Sequence, residues 1–172
     1  MSDAVRHDLV VHGDLALPAG GLLRGGWMGI DGGRVTEVSP TPLPGDRTLD
    51  ASGRLVLPGF VDAHVHTRSW MDEGITATTV AAAAGGTTTI IDMPFDRPAR
   101  PVNTRERFEA KVAAVNAEAV VDVALYATFP PQGDLGIIAE LAAAGAAGFK
   151  VSTIEVDPVR FPRIPDGRLY EA

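Results

Sequence analysis

The sequence predicts an α/β fold, a parallel sheet flanked by helices and preceded by a small all-β segment. Two observations lead to this fold class. Short apolar runs separated by glycine or proline turns fill residues 1–56, and strands alternate with helices over residues 57–172. Strand–helix alternation favours right-handed βαβ crossovers and therefore a parallel sheet.

The β segment contains two glycine turns. The apolar runs on either side of His12-Gly13-Asp14 predict two strands joined by a turn, in which glycine supplies a positive φ. Asp31-Gly32-Gly33 is the strongest hairpin signal in the chain. A proline-rich stretch at 40–44 interrupts the pattern, and a further strand is predicted from Arg54.

The second segment alternates strands with helices. The predicted strands are 59–66, 87–93, 120–129 and 148–152, and the predicted helices are 75–84, 105–119 and 135–144. Gly85-Gly86 is a helix stop signal, and Thr104 is the expected N-cap of the second helix. The last residues, 166–172, predict a turn that leads into a fourth helix.

The composition excludes several classes of protein. Fifteen Lys and Arg residues stand against 22 Asp and Glu, the net charge is −7, and cysteine is absent. These values disfavour a disulfide scaffold, a cysteine zinc site and a nucleic-acid partner. With no apolar run near the ~20 residues of a membrane span and no signal-peptide pattern, we expect a cytoplasmic protein with no membrane partner. Lys111 and Lys150 are the only lysines, so a lysine is an unusual choice in this chain.

Asp62-Ala63-His64-Val65-His66 places two histidines two residues apart on a predicted strand. Both imidazoles should project from the same face, and neutral imidazole is a common ligand of zinc. The pair predicts a metal site at the carboxyl end of a parallel strand, where such sites form. The alternative is two polar residues on a partly exposed face. Asp62 lies two residues before His64 and should project from the same face as the two histidines. Its side chain could orient a metal ligand or have a structural role.

Residues 57–66, which end in this histidine pair, resemble the signature of the amidohydrolase superfamily, in its cyclic-amide branch of dihydroorotases, allantoinases and hydantoinases. Residues 82–94 and Gly148-Phe149-Lys150 extend the resemblance in the expected order. It implies the amino-terminal half of a TIM-like (β/α)8 barrel. Residues 57–172 would form four units of about 29 residues, and eight would take roughly 232, close to the ~250 of such barrels. Residues 1–56 would belong to a composite β-sandwich.

The resemblance also implies cofactors. Two divalent metal ions, usually zinc, would be held by His64, His66 and Lys150, with Lys150 carbamylated by carbon dioxide. Carbamylation needs a deprotonated primary amine, which arginine cannot supply; the alternative is a surface lysine. Metal-bound water of lowered pKa would open the ring of a small cyclic amide substrate. Full-length members are expected to be homo-oligomers.

Arg68 completes His-x-His-x-Arg, and in dihydroorotases the matching arginine binds the substrate carboxylate, which suits its planar donor fork. The alternative is an exposed loop arginine. The branch patterns conflict: allantoinases generally lack that arginine, hydantoinases have tyrosine where this chain has Glu155, and dihydroorotases have asparagine where it has Phe95. The substrate therefore stays open.

A second hypothesis is a catalytically incomplete fragment or a non-catalytic homologue that acts as a structural partner subunit. The complete site of the family also takes two histidines and an aspartate from later strands, and no histidine follows Lys150 here. We therefore expect the 172 residues alone to be inactive. The resemblance places the general acid or base beyond Ala172.

Overall fold

The computed structural model describes residues 6–69, 73–97, 100–155 and 157–172. The chain divides into two compact units, Met1–Pro58 and Gly59–Ala172. The first unit is all-β, and the second alternates strands with helices around a parallel sheet. This architecture confirms the predicted α/β fold class.

The first unit is a four-stranded sheet in the order β3-β2-β1-β4. Its strands are β1 (His7–Ala16), β2 (Leu22–Asp31), β3 (Arg34–Ser39) and β4 (Gly45–Val56). The hairpin predicted at Asp31-Gly32-Gly33 is confirmed, since it joins β2 to β3. Gly32 and Gly33 have φ of 55° and 76°, as the two central residues of a type I′ turn require.

The turn predicted at His12-Gly13-Asp14 is wrong, because β1 continues through these residues. The pairing register of β1 shifts beside Gly13 against both neighbouring strands, which marks a β-bulge. A Cβ atom on Gly13 would lie only 2.9 Å from the carbonyl oxygen of Ala51. The sequence pattern predicts glycine here for a positive φ in a turn. The structure shows instead that glycine is needed because two strand backbones approach each other closely.

The second unit is built on a parallel sheet in the order β10-β9-β6-β5. In chain order its elements are β5 (Phe60–Val65), α1 (Ile75–Ala84), β6 (Thr87–Asp92), β7 (Phe95–Asp96), β8 (Arg100–Pro101), α2 (Arg105–Glu118), β9 (Asp122–Ala127), α3 (Gly136–Ala143), β10 (Gly148–Phe149) and α4 (Asp166–Glu171). The short antiparallel pair β7–β8 lies between β6 and α2. Because the four sheet strands are parallel, their carboxyl ends meet at one edge.

Local signals set the helix ends. Thr104 caps α2 as predicted, because its hydroxyl oxygen accepts a hydrogen bond from the backbone N–H of Arg107 at 3.3 Å.

The fourth predicted strand is shorter than expected: β10 ends at Phe149, and Ser152 instead forms a bridge with Arg163. None of the helices in the described part of the chain is both long enough and apolar enough to span a bilayer.

The core of the second unit lies where α2 and α3 pack against the sheet. Its buried members come from α1, α2, α3 and β9, and from the segment between β8 and α2: Ile75, Val102, Phe108, Val115, Leu125, Ala127 and Leu141. Burying a large apolar side chain contributes about 1.5–3 kcal/mol. This packing holds the carboxyl ends of the strands in place, and those ends carry the predicted site residues.

Candidate functional site

Two histidines lie at the carboxyl end of β5. His64 is within the strand and His66 directly follows it. Their ring centroids are 5.5 Å apart, since residues two apart in a strand project to the same face. His64 is exposed and His66 is partly buried. The structure therefore places the two predicted metal ligands side by side.

The environment of His66 favours an uncharged ring. Burial is the main reason that the pKa of its imidazole is lowered from the ordinary value of 6.5, and the neighbouring His64 acts in the same direction. Asp92 acts in the opposite direction with a smaller effect. At neutral pH the imidazole is therefore uncharged, which is the form that binds metal ions.

Asp62 contacts the backbone of the histidine pair. Its Oδ1 accepts a hydrogen bond from the backbone N–H of His64 at 3.0 Å, and its side chain is exposed. The contact restrains the main chain on which His64 is carried. A role in orienting a metal ligand stays a prediction.

Arg68 forms an ion pair. Its Nη2 lies 2.7 Å from Oε1 of Glu118, at the end of α2, and the two side chains are 37% and 40% exposed. Partly exposed pairs of this kind contribute little to stability, so the guanidinium can exchange this partner for another carboxylate. Binding of a substrate by Arg68 stays a prediction.

Lys150 directly follows β10. Its backbone N–H donates to the carbonyl oxygen of Ala127 at 2.9 Å, and the residue is partly buried. Lys150 and the two histidines therefore lie at the same end of the sheet, on its two outermost described strands.

Within residues 6–69, 73–97, 100–155 and 157–172, no three His, Asp or Glu side chains are grouped closely enough to hold a metal ion.

The turn after β5 is fastened to the segment after β6. Asp92 Oδ1 accepts from the backbone N–H of Thr67 at 3.0 Å, and Asp92 Oδ2 accepts from the Thr67 hydroxyl at 2.5 Å. The backbone N–H of Met93 donates to the carbonyl oxygen of Val65 at 2.8 Å. Asp92 and Thr67 are fully buried. Because Thr67 lies between His66 and Arg68, these bonds position both predicted site residues.

Lys111, on α2, contacts the end of β6 and the residues that follow it. Its Nζ lies 2.6 Å from Asp96 Oδ1, 2.9 Å from the carbonyl oxygen of Met93 and 3.0 Å from Asp92 Oδ2. The ammonium is buried, as a cation can be only when it is paired. Burial raises the pKa of Asp96, and the nearby ammonium of Lys111 opposes that shift. Sequence reasoning assigned no role to Lys111 or Asp92; the rarity of lysine was the one available signal.

Comparison with known proteins identifies the family. Residues 55–156 match the amidohydrolase family. An allantoinase from Rubrobacter xylanophilus is 39% identical over 168 residues, and a dihydroorotase from Thermococcus kodakarensis is 33% identical over 133 residues. These alignments cover 92% and 76% of this chain. The chain therefore belongs to the amidohydrolase family, which confirms the resemblance in its motifs.

A solved structure agrees with this assignment. The L-hydantoinase (dihydropyrimidinase) from Arthrobacter aurescens superimposes with a TM-score of 0.85 at 34% sequence identity, over 96% of this chain. A D-hydantoinase superimposes with a TM-score of 0.76 at 28% sequence identity, over 94% of this chain. The chain spans 36% of the length of the allantoinase, 31% of the dihydroorotase and 37% of the hydantoinase.

Proposed function

We propose that these residues form the amino-terminal part of a metal-dependent hydrolase that opens the ring of a small cyclic amide or ureide. The observation that carries the proposal is the His64–His66 pair at the carboxyl end of β5. It occurs in a chain whose relatives are an allantoinase, a dihydroorotase and a hydantoinase. All three names refer to enzymes that act on cyclic amides.

The residues at this edge of the sheet fit a divalent metal ion. The two imidazoles lie side by side, and His66 is uncharged at neutral pH. We propose that His64, His66 and a carbamate on Lys150 hold two divalent ions, with zinc as the expected metal. Such ions lower the pKa of a bound water and polarise the amide carbonyl. A lysine at the end of an apolar strand, in a chain that otherwise uses arginine for positive charge, supports the carbamate.

Arg68 would bind the substrate by charge. A substrate carboxylate would replace Glu118 as the partner of its guanidinium, whose planar fork matches two carboxylate oxygens. Asp62 would restrain the backbone of His64 during turnover. Thr67 and Asp92 would keep His66 and Arg68 at a constant separation.

A second candidate is a non-catalytic homologue or an incomplete fragment that acts through partner contacts. It starts from the number of ligands: among the described residues, no three His, Asp or Glu side chains are grouped closely enough to hold a metal ion. A catalytic zinc ion ordinarily takes three ligands from the protein. The 172 residues alone are then expected to show no ring-opening activity when zinc and bicarbonate are supplied.

The test is an activity and metal assay on the whole protein. Ring opening of dihydroorotate, allantoin and hydantoin is measured with zinc and bicarbonate present, together with the metal content of the purified protein. We expect His64→Ala and Lys150→Ala to lose the bound metal and to lower kcat at least 100-fold while circular dichroism stays unchanged. Lys150→Arg should fail in the same way, because arginine cannot be carbamylated.

Arg105→Gln is the matched control, since it removes an exposed charge on α2 away from the predicted ligands. This variant should keep its metal and its rate. Normal rates in His64→Ala and Lys150→Ala would show that the metal-site assignment is wrong. Turnover by residues 1–172 alone would overturn the expectation that they are inactive.

A further inference from the structure

A buried serine contacts one of the two histidines. Ser69 is 2% exposed, and its Oγ lies 2.7 Å from Nδ1 of His66. The same Oγ lies 3.0 Å from the carbonyl oxygen of Phe95, to which it donates. Neither the motif nor the family comparison assigns a role to this side chain.

Proton counting sets the direction of the contact with His66. A serine hydroxyl has one proton to donate, and a carbonyl oxygen can only accept. Since the proton of Ser69 is directed to Phe95, the Ser69 oxygen must accept from His66, and Nδ1 must carry a proton. In an uncharged imidazole the other nitrogen, Nε2, then has a free lone pair.

The backbone around Ser69 holds the hydroxyl in this arrangement. Arg97 Nε donates to the carbonyl oxygen of Ser69 at 2.7 Å, and the Arg97 backbone N–H donates to the carbonyl oxygen of Arg68 at 2.9 Å. Two residues earlier, Thr67 is bonded twice to Asp92. The serine is therefore fixed relative to both of its hydrogen-bond partners.

We propose that Ser69 is a positioning residue that selects the Nδ1–H tautomer of His66 and so presents Nε2 as the free acceptor for a divalent metal ion. Partners of this kind commonly fix the tautomer and orientation of a ligating histidine. The metal in this statement rests on the proposed function. The tautomer does not, and it can be measured without metal.

The first test is nuclear magnetic resonance on the metal-free whole protein. Long-range proton–nitrogen correlation spectra report which ring nitrogen carries the proton, and the signals of His66 are those lost in His66→Gln. We expect a protonated Nδ1, retention of this state in Ser69→Thr, and loss of the preference in Ser69→Ala. A protonated Nε2 in the unsubstituted protein, or an unchanged tautomer in Ser69→Ala, would overturn the proposal. The spectrum of the unsubstituted protein decides the tautomer even if a variant does not fold.

The second test is a zinc titration of the same proteins. We expect the affinity to fall about 10–100-fold in Ser69→Ala and to stay near normal in Ser69→Thr. Ser39→Ala is the control, because Ser39 is a buried serine of the first unit and bonds to Thr41. If zinc does not bind at all while Nδ1 is protonated, the proposed function fails and the assignment of Ser69 stands. Equal zinc affinity in Ser69→Ala and the unsubstituted protein would overturn the link between Ser69 and the metal.

Discussion

Each unit of the chain buries a basic side chain between two carboxylates, and the two clusters differ in the base and in the exposure of its partners. In the first unit, His7 Nδ1 lies 2.8 Å from Asp31 and Nε2 lies 3.5 Å from Glu37. In the second, Lys111 Nζ lies 3.0 Å from Asp92 and 2.6 Å from Asp96. Asp31 and Glu37 are 35% and 50% exposed, whereas Asp92 and Asp96 are 1% and 18% exposed.

The difference determines what each cluster can do. An imidazole ordinarily titrates near pH 6.5, so the charge of His7 can change within the ordinary pH range of a protein. Solvent screens the partners of His7, and it reaches those of Lys111 far less. The buried lysine cluster is therefore suited to hold the turn that carries His66 and Arg68 in one arrangement. The histidine cluster instead makes the stability of the first unit depend on pH.

The largest effect is expected from Lys111→Met. It leaves the carboxylate of Asp92 buried without its cation, and breaking a buried pair in this way costs about 3–5 kcal/mol. Urea denaturation followed by circular dichroism measures the free energy of unfolding. Exposed ion pairs contribute up to about 1 kcal/mol. If Lys111→Met lowers the free energy of unfolding by less than this, burial does not distinguish the Lys111 cluster from the His7 cluster.

A smaller effect, confined to particular pH ranges, is expected at His7. Hydrogen bonding to Asp31 raises the pKa of His7 above its ordinary 6.5. Its contribution to stability is therefore complete below pH 6.5 and is lost as the pH rises through the raised value. The Thr36 hydroxyl, followed by His7, lowers the pKa of Asp31 from 3.8 to about 2. The contribution of Asp31 is thus complete above pH 3.8 and is lost as the pH falls through about 2.

The two contributions are complete together only between pH 3.8 and 6.5. Urea denaturation of the protein and of His7→Gln at a series of pH values tests this. The difference in unfolding free energy should be greatest inside that range and should shrink as the pH rises above it. A difference that stays constant from pH 5 to pH 9 would contradict the assignment of a charged His7.

The smallest effect is expected from Arg105→Gln. Arg105 and Glu109 form an exposed pair at 2.7 Å on the same helix as Lys111, and such pairs contribute about 0.3–0.5 kcal/mol. The loss should become smaller in 1 M salt, where the screening length falls to about 3 Å. If this variant costs as much stability as Lys111→Met, the comparison between exposed and buried pairs fails.

The sequence by itself determined the features that depend on neighbours along the chain. The alternation of strands and helices, the hairpin at Asp31-Gly32-Gly33 and the cap at Thr104 follow from periodicity, turn conformation and a contact three residues away. The pairing of His64 with His66 follows from the two-residue repeat of a strand. These rules act within a few residues, so no knowledge of the packed structure was needed to apply them.

Only the tertiary structure decided the contacts between distant residues. Thr67 and Asp92 are 25 positions apart, Lys111 and Asp92 are 19 apart, and no local pattern connects them. The role of Gly13 likewise depended on the backbone of β4, which approaches it closely. The sequence predicted a turn at this position, whereas the structure has a β-bulge within β1. A buried charge or a close backbone approach is stable only when its partner is already in place. Both features are therefore set by packing, and the local sequence does not specify them.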